Sequence, residues 1–344
     1  MQTFMTKTAI VILNWNGVDY LRQFLPVLID CTEAGEAEII VADNASTDSS
    51  LEVLAVEFPG IRTIVLDQNY GFAGGYNKAL AQIEAEYFVL LNSDVEVSEN
   101  WLDSLIDFLD KNQDVAACQP KIKAFHDKKL FEHAGAAGGF IDKYGFPFCR
   151  GRIMGSVEVD SGQYDEVKDI FWASGACLMV RSKVYWEVGG LDDEFFAHME
   201  EIDLCWRINS RGYRIVCVPQ SEVFHVGGGT LNAESPYKTY LNFRNNQLML
   251  YKNLPQKDLK RVLCARFWFD YVAALQLFVT GKRKNAYSVF KARRDYKKLK
   301  PSFELKRAET QRSATKESLE TIYSKSIVFN YYLKSKQKFN LLKF

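Results

Sequence analysis

The chain has 344 residues, 47% hydrophobic and 25% charged, with as many Lys and Arg as Asp and Glu, a composition that allows a large buried core and excludes a disordered or collagen-like chain. The neutral total conceals a division, because residues 251–344 hold 23 basic against 7 acidic side chains and residues 1–250 hold 20 against 36. An acidic body with a basic, aromatic tail is the pattern of a chain whose tail faces a polyanionic surface, either membrane or nucleic acid.

From the N-terminus, Thr8 to Leu13 is an apolar β-type run closed by Asn14-Trp15-Asn16-Gly17 and followed by an amphipathic helix through Leu21, Leu25 and Leu28. The run Ala9 to Leu13 is too short for a signal-peptide core, so the body is expected on the cytosolic side. Glu38 to Ala42 repeats the pattern, ending in Asp43-Asn44-Ala45-Ser46-Thr47-Asp48 before a helix through Leu51, Leu54 and Val56. Arg62 to Leu66 makes a third strand; Asn69 to Asn77, with glycines at 71, 74 and 75, leads to a helix expected over 78–85. Tyr87 to Leu91, apolar on both faces, reads as a central strand, and Asn92, Asp94 and Glu96 follow at alternate positions. Strands alternating with helices imply a doubly wound, mostly parallel α/β sheet, in which ligands lie beyond the carboxyl ends of the strands.

Oxygen ligands at such a strand end suit Mg²⁺ or Mn²⁺, although the same residues also read as a polar strand end leading to a helix near Trp101 with Ser98 as its N-cap. Asp43 is positioned to accept from a base or ribose, or to cap the next helix, and the glycines at 71, 74 and 75 allow backbone to approach a ligand. Further on, Ala116 to Ile122, Gly135 to Gly139 and a charged stretch over 142–168 read as irregular strands and a surface loop, Phe171 to Val180 as a strand, and Ser182 to Val188 as a helix closed by Gly189-Gly190. Between Asp192 and Arg207 lies a second acidic cluster, with a helix expected from about Glu200 that turns Ile202, Cys205 and Trp206 inward. Its carboxylates form either a solvated acidic face or, by mutual repulsion, a general base. Tyr213 to Val218 is a strand ending at Pro219, and His225, beside Gly227-Gly228-Gly229, is a structural residue or a ligand. The seven cysteines form no C-x-x-C pair and read as mostly buried free thiols in a reducing compartment.

Taken together, VILNWNG, VADNASTDSS, NYGFAGGYNKAL, LLNSDVEV, SGACLMVR, GGLDDEFFAHMEEIDLCWRINSRGYRIVCVP and FHVGGGT resemble, in order, the blocks of family-two glycosyltransferases with the GT-A fold, in particular their bacterial rhamnosyltransferase-like branch. The resemblance spans Ala9 to Leu231. It implies a Rossmann-like GT-A catalytic domain over residues 1–235 and a basic, mainly helical extension over 236–344. It also implies metal-dependent, inverting transfer from a nucleotide sugar (dTDP- or UDP-linked) to a glycan or lipid-linked acceptor in cell-surface polysaccharide synthesis. By position, Asp43 would hold the base, within a donor-binding set of Asn14, Asn16, Asn69, Gly71, Phe72, Gly75, Asn77, Asn92, Ser93 and Gly175. Asn92-Ser93-Asp94 stands where the family has D-x-D, so Asp94 would be the main ligand of Mg²⁺ or Mn²⁺, with Asn92 and His225 as further ligands. Glu200-Glu201 stands for a Glu-Asp pair whose second member is the base; this implies Glu201, with Glu200 as its rival. A sugar-nucleotide-binding scaffold without turnover, or a nucleotidyltransferase, would share the fold and these blocks.

In the tail, Tyr237 to Tyr251 and Leu254 to Thr280 read as helices. Within the apolar run Val262 to Thr280, Arg266 and Asp270 sit one turn apart and are placed to pair, which argues against a spanning helix. The following GKRKNAYSVFKARRDYKKLK mixes cations with Tyr and Phe as an interfacial helix does. The tail is therefore expected to dock on the inner face of the cell membrane, with no nucleic acid as partner. Truncation near Asn253 is expected to leave a soluble body.

Overall fold

Thr6–Asn14 forms β1, and its alternating side chains feed two cores: Ala9 and Val11 pack on one face of the sheet, Ile10 and Ile12 on the other. The structure, a computed structural model, describes residues 6–33, 35, 37–227, 235–316 and 318–344; Gly228, Gly229 and Leu231 lie outside them. After β1 come α1 (Val18–Asp30), β2 (Ala37–Asp43), α2 (Ser50–Glu57), β3 (Arg62–Val65), α3 (Gly71–Leu80), β4 (Ala85–Asn92), β5 (Val95–Val97), α4 (Asp103–Lys111) and β6 (Val115–Ala124). The short strands β7 (Gly139–Asp142), β8 (Pro147–Cys149), β9 (Arg152–Ile153), β10 (Ser156–Val157) and β11 (Lys168–Asp169) follow. Then come β12 (Cys177–Arg181), α5 (Ser182–Glu187), α6 (Glu200–Ser210) and β13 (Arg214–His225).

The main sheet runs β11-β13-β6-β12-β4-β1-β2-β3, with β5 paired to β13. The half β4-β1-β2-β3 is parallel, whereas β12 runs antiparallel between β4 and β6. Chain order turns back at β1, which has β2 on one side and β4 on the other. A crevice opens at such a point, beyond the carboxyl ends of both strands. Helices α1 and α4 cover one face with Leu21, Leu25, Leu28, Leu105 and Leu109, while α3 covers the other with Ala73, Tyr76, Ala79 and Leu80.

Several expected elements are placed differently. The third helix spans Gly71–Leu80, not 78–85, and Ala85 opens β4. Glycines suggest a loop by propensity, yet a Cβ on Gly75 would stand 2.9 Å from Leu13, so the helix lies this close to β1 only because the side chain is missing. Ser98 caps nothing: its hydroxyl donates to the Glu222 carbonyl, and α4 starts at Asp103 without a side-chain cap. In α2, Val53 and Leu54 face the core while Leu51 and Val56 point outward. The strand at Tyr213 does not end at Pro219; β13 continues to His225 through an irregularity between Val218 and Glu222. Nor is 142–168 simply a surface loop. Strands β7 to β10 form a second small sheet whose Phe148, Cys149 and Ile153 are fully buried.

The C-terminal segment forms α7 (Pro236–Asn253), α8 (Gln256–Val279), α9 (Arg283–Leu299), α10 (Glu304–Ser313), the short β14 (Ile322–Tyr323) and α11 (Ile327–Lys334). It is built into the body. Strand β14 adds to β7 in parallel, and Tyr323, Phe339 and Phe344 pack on Phe140 and Phe148. Arg307 donates to the carbonyls of Tyr251 and Leu254. Cutting near Asn253 would therefore bare an aromatic core, and the expected soluble truncated body is not what this packing supports. Arg266 and Asp270 do pair, at 3.2 Å, and both are buried, with Arg293 and Gln247 also on Asp270. All seven cysteines are free; Cys31 is half-buried and Cys264 exposed, the others buried.

Candidate active site

Register fixes what the crevice contains: Asn14 stands opposite Asp43, and Leu13 opposite Asn92, so three strands end at one level. Asn14 Nδ2 donates to Asp43 Oδ2 at 3.1 Å and to Ser46 Oγ at 3.2 Å, and the Ser46 amide donates to Asp43 Oδ1. Asp43 is fully enclosed by these bonds, so in this state it braces the loop rather than facing solvent. Asn16, exposed with φ near +52°, accepts from the Thr47 and Asp48 amides and ties the two loops together. Asn69 accepts from the Gly71 amide and from Asn44. At Gly71, with φ +69°, a Cβ would meet Phe196 at 2.5 Å, so this turn requires glycine. Phe72 lies against Gly175, and Gly175 in turn lies beside Glu201. Ser93 Oγ is near Gly17. Asn77 is apart from the crevice: it bonds Tyr185, Leu191 and Asp193 and lines a separate cavity of about 310 Å³ with Asp192, Arg207, Lys252 and Lys306.

At the end of β4, Asp94 Oδ1 is 3.1 Å from His225 Nε2, and Asn92 Nδ2 is 3.4 Å from the same nitrogen. His225 reaches this place because the far end of β13 pairs with β5, setting His225 opposite Val95. Its Nδ1 faces Glu132 at 3.5 Å, so the ring lies between two buried carboxylates. Burial disfavours the imidazolium, but the bonds with Asp94 and Glu132 outweigh it and raise the pKa to about 10. Asp94, despite burial that would raise it, is held below the ordinary carboxylate range by His225. Once His225 gives up its proton, carboxylate, imidazole and amide oxygen are a donor set that suits Mg²⁺ or Mn²⁺. Among the described residues no three His, Cys, Asp or Glu side chains are grouped to hold a metal. An ion held by Asp94, His225 and Asn92 would need substrate or water oxygens to complete its shell.

Beside Gly175, α6 begins at Glu200 after His198 and Met199, both in the left-handed region at φ +70° and +75°. Asn245 of α7 holds this turn by donating to the carbonyls of Phe195, Ala197 and His198. Glu200 is buried and Glu201 half-buried, and among the described residues one carboxylate oxygen of each has no hydrogen-bond partner. Burial raises the Glu201 pKa to about 7; burial and then the Glu201 charge push Glu200 well above its ordinary value. A solvated acidic face is thus excluded for this pair. It is excluded as well for Asp192 and Asp203, which are buried and share the Lys252 ammonium. Glu132, Asn245 and Lys252 carry no sequence motif. Each lies far along the chain from the residues it serves, and only folding brings it there.

The geometry is that of a GT-A nucleotide-sugar fold, and the comparisons agree. Residues 9–189 match the family model "Glycosyl transferase family 2", more than half of the chain, and the chain belongs to that family. It is 26% identical over 232 residues to an N-acetylglucosaminyl-diphospho-decaprenol L-rhamnosyltransferase of Mycobacterium tuberculosis, covering 63% of this chain and 75% of the relative. It is 24% identical over 227 residues to rhamnosyltransferase WbbL of Escherichia coli K12, covering 63% and 82%. Among solved structures, GalNAc-T7 with UDP, GalNAc and Mn²⁺ superposes with a TM-score of 0.59 at 16% identity, over 86% of this chain and 55% of that one, a likeness of fold.

Proposed function

We propose that the chain is a metal-dependent, inverting glycosyltransferase that moves a sugar from a dTDP- or UDP-linked donor to a lipid-linked or glycan acceptor in cell-surface polysaccharide synthesis. The observation that carries this reading is that Asn92, which touches the Asp94–His225 pair, donates its amide to Ala176, the neighbour of Gly175, and Gly175 lies beside the Glu201 carboxylate, one oxygen of which is unpartnered among the described residues. Asp94, His225 and Asn92 would hold Mg²⁺ or Mn²⁺, which when bound offsets the charge of the departing diphosphate. Glu201, with a pKa near 7, accepts the proton of the acceptor hydroxyl, and its half-open side chain distinguishes it from the enclosed Glu200. Attack from the face opposite the leaving group inverts the anomeric carbon. The names of the two relatives support rhamnosyl transfer, and that of the mycobacterial one a diphosphate-linked lipid acceptor. Calorimetry with a panel of nucleotide sugars and Mn²⁺ tests the reading: the wild type should bind one with release of nucleoside diphosphate on adding acceptor, and Asp94→Ala should lose the metal-dependent part of binding. Pyrophosphate release would indicate a nucleotidyltransferase, and binding without turnover a scaffold.

The tail supports a place on the inner membrane surface. Helix α8 is long and apolar enough to cross a membrane, with a mean hydropathy of 1.5. The only charges between 262 and 279, Arg266 and Asp270, are however turned inward and paired. Its outward side carries Trp268, Val272, Leu275 and Val279, spaced to form one stripe, each more than 60% exposed. Alongside, the exposed positions of α9 carry Tyr287, Phe290 and cations such as Arg283 and Lys291, while its acid, Asp295, turns toward Tyr240. An apolar stripe beside a basic, aromatic one fits a helix lying in an anionic lipid surface. Full-length protein should float with phosphatidylglycerol vesicles and release in high salt, with Trp268→Glu weakening the association; retention through carbonate would indicate a spanning helix.

A further inference from the structure

Behind His225 lies a carboxylate outside the proposed ligand set. Glu132 and His225 both hang from the end of β6: the Glu132 amide donates to the Ile122 carbonyl at 3.1 Å, while His225 stands opposite Ala124 and its carbonyl accepts from the Phe125 amide at 3.0 Å. Anchors this close together on one strand fix where the two side chains meet. Each side chain is only 8% exposed, so water competes little for the contact between them. The chain beyond His225 closes over that contact, because Gly227 has φ +73° and a Cβ there would stand 3.1 Å from Glu132 Oε1.

The two ring nitrogens of His225 meet different groups. Nε2 faces Asp94 Oδ1 at 3.1 Å and Asn92 Nδ2 at 3.4 Å. Nδ1 is shielded and faces Glu132 Oε1 at 3.5 Å, the outer limit of a hydrogen bond, with no other polar partner among the described residues. Because the two nitrogens point apart, an ion on Nε2 would lie on the far side of the ring from Glu132, which therefore stands behind the imidazole and not beside Asp94 as a further ligand. Glu132 is itself braced. Its Oε2 accepts the Ala134 amide, the Ala134 carbonyl accepts the Ser174 hydroxyl, that hydroxyl accepts the Ala176 amide at 3.2 Å, and the Ala176 carbonyl accepts the Asn92 amide at 3.0 Å. The path of bonds returns to the end of β4, so the carboxylate is held against the same strand end that carries Asn92.

We propose that Glu132 is a positioning residue of the metal centre: its carboxylate keeps a ring proton of His225 on Nδ1 and turns Nε2 toward an ion held with Asp94 and Asn92. This rests on the transferase reading and deepens it, by naming the residue that makes His225 a ligand. A carboxylate behind a metal-bound imidazole fixes its tautomer and orientation and makes the opposite nitrogen a better donor. Without Glu132 nothing on the Nδ1 side holds the ring, and the centre loses its imidazole.

The test uses the full-length chain with Mn²⁺ and excess UDP or dTDP, whichever wild type binds. Electron spin echo spectra of wild type should show modulation from a coordinated imidazole nitrogen that is missing in His225→Gln. Glu132→Leu should weaken Mn²⁺ binding about 10- to 100-fold and, with Mn²⁺ raised to saturation, lose the nitrogen modulation. Glu132→Gln, which keeps the shape but offers one acceptor to two donors, should shift both readouts the same way by a smaller factor. A check that needs no change at Glu132 is nitrogen NMR of the histidine rings of wild type saturated with Mg²⁺ and the same nucleotide: the ring absent from His225→Gln should be neutral and protonated at Nδ1. Protonation at Nε2 would overturn the assignment, as would Mn²⁺ affinity and modulation unchanged in both Glu132 variants. Affinity lost with modulation intact would also overturn it, by making Glu132 a source of charge and not of position. Mn²⁺ bound to wild type without a nitrogen signal would remove His225 from the centre, and this inference with it, while leaving the transferase reading on Asp94. Failure of that reading would look different: wild type would bind no nucleotide sugar or nucleoside diphosphate under any metal condition.

Discussion

Asp203 and Glu201 lie two residues apart on α6, yet their carboxylates are treated in opposite ways. Asp203 is fully buried and receives Arg207 Nε at 2.9 Å, Lys252 Nζ at 2.9 Å and Asn253 Nδ2 at 2.7 Å. Among the described residues, Glu201 and its neighbour Glu200 pair with no cation, and one shielded oxygen of each lacks a partner. A buried carboxylate that serves the fold is surrounded by donors. One left bare costs stability and gains basicity, which is the profile of a group kept for a proton transfer. The first turn of α6 thus separates anchoring from chemistry, and α7 serves both, through Lys252 at the anchored carboxylate and Asn245 at the turn that leads into the reactive one.

Changes at the anchored carboxylate should break stability and spare chemistry. Lys252→Met leaves Asp192 and Asp203 short of their shared ammonium and is expected to cost about 3–5 kcal/mol in urea unfolding, while kcat per folded molecule stays within about twofold. An unchanged midpoint with lost kcat would merge the two roles and undo the comparison. Asn245→Ala is intermediate. It removes the donor shared by three carbonyls ahead of α6, at a cost of about 1–3 kcal/mol, and should lower kcat as well because His198 and Met199 are then no longer held at positive φ. A stability loss with intact kcat would show that the turn does not position Glu201.

The smallest effect has the opposite sign. Glu201 has a folded pKa raised from 4.5 to about 7, so its contribution to stability is fully present below pH 4.5 and is lost as pH rises through 7. Glu201→Gln does not suffer that loss. It should melt higher than wild type at pH 8 by on the order of 1 kcal/mol, screening by solvent keeping the effect small, and no higher at pH 4.5. For the same reason wild-type kcat should rise with pH through about 7. Equal melting at both pH values would mean that Glu201 is not held bare.

Much of this was legible in the sequence. Apolar runs ending in Asn14, Asp43 and Asn92 gave the strand order's reactive edge, and the ordered blocks gave the family. What stayed hidden depended on contacts distant in sequence. Glu132 meets His225 across 93 positions, which follows from their numbering, and nothing in Phe131-Glu132-His133 marks it. The glycine-rich start of α3 reads as loop because the reason for Gly75, its contact with Leu13, exists only once the sheet has formed. Similarly, the small sheet over 139–157 is completed by β14, so its burial could not be read locally. Arg266 and Asp270 were legible as a pair, but not their inward direction, which decides how the apolar side of α8 is presented.

The most direct test of the account is to measure donor binding and turnover together for Glu201→Gln and Glu200→Gln, using the nucleotide sugar that wild type binds with Mn²⁺. Glu201→Gln should keep the donor affinity of wild type and lose roughly 10²–10⁴ in kcat, since a base is needed only once an acceptor hydroxyl must give up its proton, whereas Glu200→Gln should retain most of its turnover. Turnover surviving in Glu201→Gln, or lost there only in step with donor binding, would contradict the assignment of the bare carboxylate as the base.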